Sequence, residues 1–133
     1  MSAAIENNPH FKFSERPAYE FGSLLRKIPA NFNSSFEPSD DEVQIVDAAI
    51  RHAENASNVL LSGLEAIGNV IAGAARSDEY VIESANLADL GSLIQHLAVE
   101  AQFLQETQED LVRTREWQVQ RLAAAKSLGG KHA

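Results

Sequence analysis

The chain is expected to be all-α: a long antiparallel helical hairpin, completed to a bundle by dimerisation or by the N-terminal segment. Three observations lead there. Apolar and small residues recur with a heptad rhythm over two long stretches, about residues 40–75 and 85–125. A short polar stretch, "SDEYVIES" at 77–84, breaks that rhythm. Finally, acidic and basic residues are distributed so that folding one stretch back on the other brings opposite charges together.

Residues 1–38 differ from the hairpin domain at 39–133. They hold five of the six phenylalanines (Phe11, Phe13, Phe21, Phe32 and Phe36) and carry no net charge. The segment is expected to be partly extended, with one short helix over "YEFGSLLRKI", residues 19–28, before Pro29. "NFNSSFEPSD" then reads as a loop rich in turn formers. So aromatic a segment is no inert linker. Either it packs on the hairpin, or it captures a partner through Phe11, Phe13 and Phe21.

The first long helix is expected to begin at "PSDDE". Ser39 is the N-cap and Glu42 stands three residues on, at capping-box spacing, with Asp40 and Asp41 suited to the positive helix end. One heptad series runs Val46, Ala53, Leu60, Ile67 and Ala74; another runs Ala49, Ala56, Gly63 and Val70. The pattern continues to about Arg76, giving a helix about 55 Å long. The second helix carries Leu87, Leu90, Ile94, Leu97, Ala101, Leu104, Leu111 and Leu122. It is expected to end before "SLGGKHA", where glycines stop a helix and basic residues suit its negative end.

Charge tests the hairpin. Residues 39–112 carry Arg51 and Arg76 against fourteen acidic groups, whereas residues 113–133 carry five basic groups against Glu116. If the chain turns near residue 80, positions whose numbers total about 160 lie side by side. Arg113, Arg115 and Arg121 then fall alongside Asp40, Asp41, Glu42 and Asp47. Each exposed pair contributes under about 1 kcal/mol, so these pairs set register more than stability.

"SGLEAIGNVIAGAA", residues 62–75, places three glycines inside a helix, each costing about 1 kcal/mol relative to alanine. Gly63 falls on the seam with Ala49 and Ala56, where small residues let helices approach. Gly73 joins another row, Ile45, His52, Val59 and Ala66, and a further row runs Val43, Ile50, Ser57, Leu64 and Ile71. Together these rows exceed the roughly 100° apolar stripe of a surface helix. One partner helix cannot cover them, so a third packing element is required: the aromatic segment folding back, or the favoured solution, a second copy in a homodimer. The expected packing residues are Ala49, Ala56, Leu60, Gly63 and Ile67 on the first helix, with Leu90, Ile94, Leu97 and Leu104 on the second.

Several functions are excluded or disfavoured. The absence of cysteine removes disulfides, thiol nucleophiles and cysteine-based zinc sites. "MSAAIENNPHFKFSERP" has no basic flank followed by an apolar run, so a cytoplasmic protein is expected. Residues 59–75 are interrupted by Glu65 and Asn69 and fall short of the roughly 20 apolar residues of a membrane span. The acidic middle argues against direct nucleic-acid contact, which needs a basic face. No Glu-x-x-His occurs, and His52 and His96 fall about 18 Å out of register, so neither metal nor cofactor is expected. Gly63 and Gly68 have the outer spacing of a phosphate loop, but Asn69 and Val70 stand where lysine and a hydroxyl residue belong. With no catalytic constellation, the chain is not expected to be an enzyme.

One row points to binding. His96, Phe103, Asp110 and Trp117 repeat every seven residues away from the main seam of the second helix. Either the N-terminal phenylalanines or a dimer mate covers this row, or Phe103, Asp110 and Trp117 anchor a partner. The run "LADLGSLIQHLAVEAQFLQE", residues 87–106, is loosely similar to short helical proteins encoded on bacterial mobile elements. The expected function is therefore a non-catalytic, acidic protein–protein interaction module. Its specific form, from size and charge, is a phage- or plasmid-type inhibitor of a host nucleic-acid-handling defence complex, with a basic nucleic-acid-binding protein as partner. The alternative is an assembly protein whose function is self-association.

Overall fold

The computed structural model describes residues 3–130. A single turn, α1 (Ala3–Glu6), precedes α2 (Pro17–Leu25), then α3 (Asp40–Ala75) and α4 (Ser84–Gly129). There is no strand among the described residues. α4 turns back along α3 and the short α2 also packs on α3, so the chain is all-α, with α3 in contact with both.

Local chemistry sets the helix boundaries. Pro17 occupies the first turn of α2, where its missing N–H is no loss. The helix therefore starts two residues before the expected Tyr19. It closes at Leu25, not Ile28, because a residue preceding proline is driven out of the α region. α3 opens on a complete capping box: Glu42 N–H donates to Ser39 Oγ, and Ser39 N–H donates to the Glu42 carboxylate. α4 runs past the expected stop at Ser127. Gly130 keeps ordinary right-handed angles (φ −73°, ψ −14°), so glycine's freedom to leave the helix goes unused there. The rest of the expected basic end, residues 131–133, lies outside the described residues.

The core sits at the open end of the hairpin. Val46, Ala48, Ala49, His52 and Ala53 of α3 are fully buried. Phe21 and Leu24 of α2 cover them on one side and Leu104 and Leu111 of α4 on another, with Phe11, Leu25, Ile28 and Phe32 closing the edges. The N-terminal segment, through Phe11 to Phe32, is thus a layer of this core and shares it with the hairpin.

Charge pairing across the hairpin is narrower than expected. Arg115 reaches Asp47 at 4.0 Å, in the anticipated register. The other pairs are replaced. Arg113 turns to Asp110 on its own helix, Arg121 donates to the carbonyls of Ser35 and Phe36, and Asp41 meets His10 at 2.7 Å. For Arg121, the loop before α3 lies where the acidic helix start was expected, and its carbonyls take the guanidinium donors.

Candidate interaction surfaces

The row on α4 is open. Phe103 is 55 % exposed and Trp117 is 51 % exposed, about 21 Å apart along the helix. Asp110 lies between them, holding Arg113 at 3.3 Å, and His96 is 3.7 Å from Glu100. Val99 extends the apolar side, while Glu106 and Glu109 keep the flank acidic. The neighbouring face of α4 buries Leu104, Leu111 and Gln118 in the core, which anchors the helix while leaving the row in solvent. The N-terminal phenylalanines do not cover it. Phe21 goes to the other side of α3, and Phe32 and Phe36 pair with each other at 5.7 Å.

Two of the three N-terminal aromatics expected to bind a partner are not available for it. Phe21 is 2 % exposed, and Phe11 packs at the core edge with its ring 4.6 Å from that of His52. Their apolar surface is spent on α3, the nearest bare helix. Phe13 alone stays outward. Its backbone takes a left-handed angle, φ 54°, in a turn that brings Arg16 over both the Phe13 and Tyr19 rings at 4.5 and 5.0 Å.

Several anchoring residues have no sequence signal. Gln118, fully buried, donates to the Asn33 carbonyl and accepts from Arg115, while Arg121 donates to the Ser35 and Phe36 carbonyls. Asn8 donates to the Gln44 carbonyl and takes the His10 N–H, fastening the start of the chain to α3. His52 is fully buried; neither ring nitrogen has a side-chain hydrogen-bond partner, and the Lys12 backbone lies near the ring. Burial pushes its pKa down, and the Glu20 carboxylate and the Lys12 backbone only partly oppose this. Burial likewise raises the Asp47 carboxyl, against the pull of Arg115.

The expected packing residues divide by position. Ala49, Ala56 and Leu104 are buried, whereas Leu60, Ile67, Leu90, Ile94 and Leu97 are half-buried. Gly63 corrects the close-approach argument. A Cβ added there would meet nothing within 4 Å, so within one chain the helices do not close on it. The same holds at Gly68 and Gly73.

Beyond Ser57 the hairpin loses its third layer, and no residue from 58 to 100 is buried. Val59, Val70, Tyr80, Val81, Leu93 and Val99 stand out in solvent. Among the described residues, α3 is also the one helix whose length and composition match a membrane span. No group of three or more histidine, aspartate or glutamate side chains is gathered among the described residues. Comparison with protein families, curated proteins and solved structures finds nothing that matches this chain.

Proposed function

We propose that the protein is a non-catalytic interaction module that holds a partner protein against the outer face of α4. The exposed Phe103–Asp110–Trp117 row carries this reading. Two large aromatic side chains stand in solvent on a helix whose neighbouring face is packed into the core, so the helix holds their backbone positions at a fixed spacing. Such anchors supply most of the energy of many protein interfaces. The acidic residues between and beside them favour a partner with a basic surface, because opposite potentials steer encounter and fix register. A nucleic-acid-binding protein is one class with such a surface, and occupying it would make the chain an inhibitor.

The test compares proteins captured from the native host by the unmodified chain and by a Phe103→Ala/Trp117→Ala variant. Both side chains are exposed, so circular dichroism should be unchanged. The variant is expected to lose a partner that the unmodified chain retains, and that capture should weaken as salt rises. An identical set of captured proteins would reject the α4 row as the binding face. Self-association is a second function, favoured by a different face of the molecule.

A further inference from the structure

α3 carries one heptad row through its whole length: Ile45, His52, Val59, Ala66 and Gly73. In the first half the row is a packing face. Ile45 is 7 % exposed and His52 is fully buried beneath the N-terminal segment. The cover ends where Pro17, Ala18 and Tyr19 border a groove with Ala56, Val59 and Leu60. From there the same row emerges bare, with Val59 at 64 % and its neighbour Val70 at 70 % exposure. Beside it, Ala66, Ile67, Val70 and Ile71 meet Ile82 and Leu90 in a groove lined only by apolar side chains.

We infer that a second copy of this chain covers the bare half of the row, α3 docking antiparallel on α3 about a twofold axis near Ala66. This goes beyond the α4 surface and uses a different face of the hairpin. Area is the first argument. A compact monomer of 14.5 kDa exposes about 6,900 Å². This chain exposes 9141 Å², an excess of about 2,200 Å². A standard interface needs about 800 Å² from each partner, so the excess is ample.

Charge is the second argument, and it selects the occupant. Between residues 55 and 75 the one charged side chain is Glu65, and it lies about 100° around the helix from Ala66. The other acidic groups near the tip are in the connection (Asp78, Glu79 and Glu83) or on α4 (Asp89 and Glu100). Two copies meeting through α3 bring its uncharged stretch together; Arg16 and Glu100 border the groove at Val59 as one charge of each sign, and the remaining acidic groups stay in the connection or elsewhere on α4. A basic partner gains little from a face so nearly neutral.

Shape is the third argument. With Ala66 at the axis, Val59 falls beside Gly73 of the second copy, and Val70 falls beside its Gly63. Large side chains meet the small ones, as a self-complementary interface requires. Both glycines have open space in the single chain, so their vacant positions are free to receive those valines.

The full chain should sediment at twice 14.5 kDa at micromolar concentration, and should keep that mass at high salt, because the contact is apolar. Val59→Asp/Val70→Asp should return it to a monomer with unchanged helix content, since both side chains are exposed in one chain. Phe103→Ala/Trp117→Ala should leave the mass doubled, which separates failure here from failure at the α4 row. The chain has no cysteine, so Ala66→Cys reports register cleanly. It should oxidise to a covalent dimer far faster than Gln95→Cys on α4. A monomeric unmodified chain would overturn the dimer. A dimer indifferent to Val59→Asp/Val70→Asp, or equal cross-linking of the two cysteine variants, would overturn the interface. Co-sedimentation of a monomer with phosphatidylcholine–phosphatidylglycerol vesicles would overturn it in favour of a bilayer.

Discussion

α3 passes through two environments with one pattern of residues. At its N-terminal end, alanines at 48, 49 and 53 have no exposed surface, because Phe21 and Leu24 of α2 and apolar side chains from α4 close over them. Toward the tip, the same heptads present valine, alanine and glycine to solvent. The difference lies outside the helix. The base has three layers and the arm has two, and two helices leave part of each apolar arc bare. Stability is therefore concentrated in the base, and the bare apolar row of the arm is the face that the proposed second copy would cover.

The largest effect should come from breaking the base. Phe21→Ala removes a side chain only 2 % exposed and should cost about 3–5 kcal/mol. Urea denaturation would measure it, and a loss below about 1 kcal/mol would mean that α2 is not a true layer of the core.

A smaller effect should follow pH. His52 has an ordinary pKa of 6.5 when unfolded and a lower one when buried beside Phe11. The unfolded chain then binds the proton first, so stability is full above pH 6.5 and falls as pH drops through 6.5 toward the folded value. Asp47 acts in the opposite sense nearer pH 4: its folded pKa is raised above 3.8, so acid favours the folded form. Thermal melts between pH 8 and 5 should show a decline that His52→Phe abolishes. A decline of the same size in that variant would clear His52 of responsibility.

The smallest effect belongs to the arm. Gly68 is exposed and a Cβ there meets nothing, so Gly68→Ala should stabilise by up to about 1 kcal/mol. A loss of stability would show that something closes over this face and would sharpen where the arm is covered.

The sequence by itself determined what depends on neighbours a few residues apart. Ser39 and Glu42 set the start of α3, a polar break sets the turn, and the heptad rows mark the faces that need company. The arc too wide for one helix was also legible, as was the placement of Phe103, Asp110 and Trp117 away from the seam. Other features were decided only by the tertiary structure. Nothing local distinguishes Phe11 and Phe21, which pack against α3, from Phe13, which stays in solvent; hydrophobicity drives all three inward, and the reach of the chain selects among them. Likewise, Arg121 and Gln118 were free to meet the acidic end of α3, yet they bind carbonyls of Asn33, Ser35 and Phe36, 85 or 86 residues away. Backbone groups drawn close to the core must find partners, and only the folded chain brings those donors within reach.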